Sequence, residues 1–189
     1  YSKVIGIPQI SENEINVIPL NFTYIPRVGD KIIGIIEEVE TSGWVVNINS
    51  PYLAFLPLGE AVNEFVDILR TDLSKFYNTD EIIYCKVIKV TEDKLINVSM
   101  KDKECKKLED GILVSIIPSK VPRVIGKGGS MINILKSKTK CEIVVGQNGY
   151  IFVRGKNVVK VITALKLIEK ESHLYGLTDK VQKVLGENE

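Results

Sequence analysis

Apolar residues follow two different rhythms along this chain of 189 residues. From Val28 to Lys101 they come in short alternating runs separated by turn residues. Gly29 to Val39 has strand character, Ser42-Gly43 turns it, Trp44 to Ile48 alternates, Pro51 interrupts, and Tyr52 to Leu56 resumes. A polar, partly helical excursion follows from Glu60 to Asn78, and two further strands are predicted over Glu81 to Val90 and Leu95 to Met100. Five short strands of this kind predict a small antiparallel barrel. Because side chains alternate across a strand, Trp44 falls with Val46 and Ile48 on the core-facing side.

Beyond Asp102 to Asp110, a charged stretch that predicts a hinge, the rhythm changes. Gly111 to Pro118 predicts a buried strand, and Ser119 with Pro122 opens a short helix that carries Val121, Val124 and Ile125 to a core. After a glycine loop, Ser130 is placed to cap a second helix bearing Met131, Ile132, Ile134 and Leu135. Cys141 to Val145 and Tyr150 to Val153 form a predicted hairpin around Asn148-Gly149, a strong turn pair. Gly155 ends the second strand. Asn157 then caps a long helix in which Val158, Val161, Ile162, Leu165 and Ile168 share one face.

The loop between the two short helices, Gly126, Lys127, Gly128 and Gly129, carries the chemistry of the chain. Glycines let a backbone approach phosphate groups closely, and the following helix aims its N-terminal amides and dipole at them. The whole chain has a formal net charge of only +1, so any field that attracts nucleic acid must be local. It is local: from Ser119 to Cys141 the charged residues are Lys120, Arg123, Lys127, Lys136, Lys138 and Lys140, with no acid among them. Lys120, Arg123 and Lys127 lie where a backbone would pass and are assigned as phosphate contacts. Lys136, Lys138 and Lys140 have the pattern of a solvated helix face.

The motif VPRVIGKGGSMI and the element order resemble the KH family in its type I arrangement, over roughly residues 110 to 172. That resemblance implies a clamp that grips about four nucleotides, with Lys120, Arg123, Ile125, Gly126, Lys127, Gly128, Gly129 and Ser130 as RNA-binding residues. Ile125, Ile132, Ile143 and Val145 are the aliphatic candidates for the groove wall. Gly128 departs from the family, whose middle loop positions are more often charged or bulky, and implies a looser loop. The segment VGDKIIGIIEEVETSGWVVNI, with YLAFLPLGEA and YCKVIKVTEDKLINVSMKD, resembles the S1 RNA-binding domain, an OB-fold. Here Val45, Pro57 and Leu95 stand where that family usually offers an aromatic, a histidine and an arginine. Stacking contributes about 1 to 3 kcal/mol per base, so the resemblance implies a barrel that positions RNA more than it grips it. Trp44, Tyr52 and Phe55 remain stacking candidates, but alternation assigns Trp44 to the core, and for Tyr52 packing against the barrel is an equal alternative.

Residues 1 to 26 hold VIGIPQI, SENEIN and VIPLNFTYIP, which predict two or three short strands that are too few to bury a core alone. Tyr1 in place of an initiator methionine, ahead of a strand already under way, predicts that a longer protein precedes this chain. The division expected is therefore multidomain and mainly β with α+β: a partial strand-rich N-terminal domain at 1–26, an S1-type barrel at 27–104, and a KH domain with a C-terminal extension at 105–189. This order resembles the RNA-binding cap subunits of the archaeal exosome. The resemblance implies a non-catalytic protein that captures single-stranded RNA and seats three copies on a hexameric ring of RNase PH-like subunits, for 3′-to-5′ phosphorolytic degradation, with no cofactor. The alternatives are a free-standing S1/KH transcription or translation factor and the RNA-binding tail of a phosphorolytic nuclease.

Other chemistry has little support in the sequence. His173 is the single histidine, which disfavours His-based acid-base work. No Walker-type phosphate loop occurs, and Cys85, Cys105 and Cys141 lack metal or redox spacing. Glu37-Glu38 and Glu92-Asp93 read as a strand end and a turn. Scattered free cysteines fit a reducing cytoplasm, and no apolar run is long enough for a membrane helix. The stripe Val62, Phe65, Val66, Leu69 and Leu73 would pack on its own barrel or meet a partner. The apolar strand edges of Tyr1 to Ile25 are the preferred surface for a protein contact.

Overall fold

A computed structural model describes residues 23–62, 73–171 and 176–186, together with the backbone course of 6–10 and 15–19. The N-terminal hairpin is formed by β1 (Gly6–Ile10) and β2 (Ile15–Pro19), paired antiparallel.

The barrel follows from alternation. β3 (Lys31–Glu40), β4 (Gly43–Asn47), β5 (Ala54–Pro57), β6 (Ile82–Val90) and β7 (Ile96–Ser99) lie in the order β3-β4-β5-β7-β6, and β3 pairs with β6 to close the ring. The five expected strands are present. One closing contact, β5 with β7, is parallel, with Ala54 opposite Ile96; the barrel is thus not antiparallel throughout. Ile32, Ile36, Trp44, Val46, Leu56, Cys85 and Val98 fill its interior. Trp44 is fully buried, as alternation predicts. Its indole donates to the Tyr77 carbonyl at 2.8 Å and meets the Tyr77 ring edge-on at 5.3 Å. The polar excursion begins with α1 (Leu58–Ala61) and ends in a short turn at Leu73–Lys75. Val62 and Leu73 pack on the barrel, whereas Phe65, Val66 and Leu69 lie outside the described residues.

The segment expected to be a hinge is a strand. β8 (Lys106–Leu108) extends the barrel sheet along β6, with Leu108 opposite Ile82. Leu108 is apolar and buried, and its burial outweighs the charge around it.

The second half is a three-stranded antiparallel sheet in the order β10-β11-β9, from β9 (Ile112–Ser115), β10 (Glu142–Val145) and β11 (Tyr150–Arg154). One face is covered by α2 (Val121–Ile125), α3 (Ser130–Thr139), α4 (Val158–Glu171) and α5 (Leu177–Gly186). Val124, Leu135, Ile143, Ile151, Val161 and Leu165 form that core, and α5 adds Leu177, Val181 and Leu185, so the extension belongs to the fold. Asn157 precedes α4, but its side-chain amide donates to the Thr139 carbonyl at 3.0 Å and ties α4 to the end of α3.

The other sheet face packs on the barrel. Ile33, Leu108 and Phe152 form a small buried cluster bordered by Tyr84, Leu113 and Val144. Ile33 is out of phase with Ile32 and Ile36, so it points outward from the barrel and is buried only because the second domain covers it. Beside it, β3 and β4 begin pairing only at Ile35 with Asn47, leaving the edge groups of Lys31 and Ile33 open. The turn of the second domain fills this gap. Gln147 N–H donates to Lys31 O, Lys31 N–H donates to the Gln147 side chain at 2.8 Å, and the Asn148 amide donates to Ile33 O at 2.6 Å and Ile48 O at 2.8 Å. Asn148 has no solvent exposure.

Replacing Asn148 with Ala should leave buried backbone groups of Ile33 and Ile48 without partners. A loss of about 3 kcal/mol in unfolding free energy is expected, measured by denaturant titration. A change below about 0.5 kcal/mol, the scale of an ordinary surface substitution, would contradict this account of the domain junction.

Candidate nucleic-acid interface

The glycine loop is shaped by its first residue. A short turn at Pro118–Lys120 runs into α2, with Pro122 in its first turn, and α2 stops at Gly126, whose φ of 75° and ψ of 170° suit only glycine. A Cβ there would lie 2.7 Å from the Met131 amide nitrogen. Gly126 is therefore required both by backbone conformation and by close approach. Gly128, at φ 60° and ψ 25°, sits at the exposed loop tip, and a Cβ there would meet nothing within 4 Å.

Ser130 does not cap the second helix. Gly129, in a left-handed conformation, occupies the cap position, no side chain bonds the first turn, and Ser130 is the first helical residue. Its exposed hydroxyl stands at the loop, beside helix amides that no side chain claims. Ser119 likewise gives way to Lys120 at the cap of α2.

Lys120, Arg123 and Lys127 surround this loop, and none has an acidic partner among the described residues. Arg123 and Lys127 are exposed and Lys120 is half-buried. The barrel and its junction differ. There Lys31 bonds Asp102 and Glu104, Lys86 bonds Asp102, Lys107 bonds Glu81 and Glu109, and Lys106 and Arg154 share Glu142. The Lys106 ammonium, helped by Arg154, holds the Glu142 carboxyl below the usual carboxylate range. The glycine loop thus combines three cations without acidic partners and a flanking stretch, 119–141, that carries no acid, in a protein of almost no net charge.

Of the aliphatic wall candidates, Ile125 is on the surface and not in the core as its helical spacing predicts; it is 36% exposed beside Gly126. Helix α2 is too short to bury three positions, and Val121 and Val124 take the core face. Ile132 is partly buried, Val145 is half-buried, and Ile143 is sealed in the core at 2% exposure. Tyr52 stands apart from the loop elements. Its ring packs partly against the barrel core, and its amide donates to Ser50 Oγ. On the barrel face where the S1 resemblance places RNA, Val45, Leu53, Phe55 and Leu95 line an apolar recess of about 320 Å³. Leu95 is one of its exposed members, and Pro57 lies at the end of β5 opposite Gly43.

One part of the loop's surroundings has no signal in the sequence pattern. Residues Tyr24 to Asp30 run beside α2 as a non-repeating segment, and they face Val121, Ile125 and Gly126 across a cavity of about 750 Å³. Tyr24 is buried in the barrel core, and its hydroxyl donates to Asp30 at 2.6 Å. Burial, reinforced by this carboxylate, pushes the Tyr24 phenol up.

No group of three or more His, Cys, Asp or Glu residues suited to a metal occurs among the described residues. His173 lies outside them. Cys85 and Cys141 are buried free thiols, and burial pushes the Cys85 thiol up. No helix among the described residues is long and apolar enough to cross a membrane.

Comparison with known proteins converges on one family. The KH domain profile matches residues 111–159, and the profile described as RRP4, S1 domain matches residues 23–89. Exosome complex component Rrp4 of Pyrococcus horikoshii is 48% identical over 190 aligned residues, spanning 98% of this chain and 72% of the relative. The protein of the same description from Thermococcus kodakarensis is 47% identical over 98% of this chain and 74% of its own length, and that from Thermoplasma acidophilum is 41% identical over 99% and 79%. A crystal structure of a protein assigned as an exosome complex RNA-binding protein superposes with a TM-score of 0.82 at 31% identity, covering 88% of this chain and 97% of the other. With both domain profiles in the expected order and identity this high over nearly its whole length, the chain belongs to the Rrp4 family of exosome complex components.

Proposed function

We propose that this chain is the non-catalytic RNA-capturing cap of an exosome in the cytoplasm. It takes single-stranded RNA at the glycine loop and delivers it to a hexameric ring of RNase PH-like subunits, three caps per ring, for 3′-to-5′ phosphorolytic degradation or processing. The observation that carries this reading is the placement of Lys120, Arg123 and Lys127, without acidic partners among the described residues, beside Gly126 to Gly129 in a stretch, 119–141, that holds no acid. Free N-terminal amides of α3 and the flexible-backbone glycines supply phosphate contacts that fix the strand's position without reading its sequence. Ile125 and Ser130 border the strand. The barrel face, with Val45, Pro57 and Leu95 in place of stacking and charged groups, guides RNA weakly, with Phe55 in its recess and Tyr52 as the remaining aromatic contacts. Residues 1–26 provide the strand edges that meet the ring.

Lys127→Asp combined with Gly128→Asp should abolish binding of a single-stranded RNA oligonucleotide measured by fluorescence anisotropy. The unfolding midpoint should stay the same, because position 128 is open and Asp tolerates the left-handed conformation. Unchanged affinity at matched salt would remove the clamp. Gly126→Ala should do the opposite to stability, lowering it by about 1 to 3 kcal/mol through backbone strain, read from the same unfolding curves.

Light scattering coupled to size-exclusion chromatography tests the assembly. The protein mixed with a hexameric RNase PH-like ring should elute at three copies per ring and accelerate phosphate-dependent degradation of single-stranded RNA, and removal of residues 1–22, which leaves the buried Tyr24 in the barrel core, should prevent this. Failure to join the ring with RNA affinity intact would replace the cap by a free-standing RNA-binding factor.

A further inference from the structure

The cavity between the linker Tyr24 to Asp30 and helix α2 has features that structural packing does not require. Its KH wall runs from Pro118 along α2, through Val121 and Pro122, to Ile125 and Gly126, so it reaches the first glycine of the loop. Its opposite wall is Tyr24, Ile25, Arg27 and Asp30, which lie just ahead of β3. Ile25 is 61% exposed and stands across from the exposed face of Ile125. Two aliphatic side chains are left in water on facing walls, although closing the gap between them would bury both.

The gap persists because the linker is held from behind. Tyr24 is anchored in the barrel core and donates to Asp30 Oδ2 at 2.6 Å, and the Arg27 backbone N–H donates to the same oxygen at 3.0 Å. Asp30 thereby fixes the linker's course while Arg27's side chain stays exposed, with no acidic partner among the described residues. A rigid slot with apolar faces and one free guanidinium matches a nucleobase and its phosphate. Arginine is suited to this pairing because its planar group both bonds phosphate and stacks on a base.

We propose that this slot is a nucleotide subsite shared by the two domains, occupied by a nucleotide of the single-stranded RNA adjoining the segment held in the clamp. Ile25 and Ile125 flank its base, and Arg27 contacts its phosphate. The subsite rests on the proposal that the glycine loop binds RNA, because its occupant is identified by continuity with that loop and by the uncompensated charge of Arg27, Arg123 and Lys127. It extends the footprint beyond the four or so nucleotides that a KH clamp holds alone and makes the linker part of the RNA surface.

The test is fluorescence anisotropy of the full chain with labelled oligouridylates of about four and about ten nucleotides, the shorter matching a clamp alone, at several salt concentrations. Arg27→Glu and Ile25→Asp should each weaken binding of the longer RNA by about tenfold, within the range of one lost base contact, and leave the shorter unchanged. Arg27→Ala should reduce the salt slope by about 0.7, the value of one phosphate contact on a single strand. Both positions are exposed, so unfolding midpoints should match the parent protein.

Unchanged binding of the longer RNA by the linker variants, with binding lost in the Lys127→Asp, Gly128→Asp variant, would overturn the subsite and leave the clamp standing. No loss in any of these variants would overturn both. Loss of ring association by Arg27→Glu, with RNA affinity and salt slope intact, would make this wall a protein-docking face and overturn the nucleotide assignment.

Discussion

A buried amide joins the two halves of this protein. Where β3 and β4 part, the barrel exposes backbone groups that neither strand can satisfy, and an open edge of this kind is costly to bury. Asn148 and Gln147 place a tight turn in the opening, so that side-chain and backbone groups of the KH hairpin complete the hydrogen bonding of the barrel. The polar contact sets the register, and the adjacent Ile33, Leu108 and Phe152 cluster supplies apolar burial. Loss of either would weaken the docking of the two domains.

That fixed junction has functional consequences. The linker Tyr24 to Asp30 belongs to the barrel by packing, yet it runs beside the KH helix that leads into the glycine loop. Its distance from the loop is set by the docking of the domains. A flexible tether in the charged segment after Ser99 would have left the KH clamp to sample RNA alone. The strand β8, with Leu108 buried at the interface, instead makes that segment part of the barrel sheet.

Electrostatics divide the surface in the same way. Lysines of the junction are committed to Asp102, Glu104, Glu81 and Glu142, which limits their attraction for a polyanion. Cations at the glycine loop have no such commitments. The barrel face instead contributes an apolar recess lined by Val45, Leu53, Phe55 and Leu95.

Periodicity and glycine placement in the sequence alone determined the five barrel strands, the KH element order, the burial of Trp44 and the position of the glycine loop. These depend on local rules: alternation across a strand, helical spacing, and the steric freedom of Gly126. The adjacent pair Ile32 and Ile33 carried a legible hint that both faces of β3 are covered, because alternation cannot hide both in one core. What covers the outer face was not legible, since Ile33 and Asn148 lie 115 residues apart and no local pattern links them. The same limit hid the linker wall at Ile25 and Arg27 and turned a predicted hinge into β8. It also exposed Ile125 and denied Ser130 its capping role, because a short helix and a left-handed Gly129 are settled by how the loop closes on α3. Tertiary structure decided these features because they depend on which surfaces meet, and local sequence patterns specify surfaces without specifying their partners.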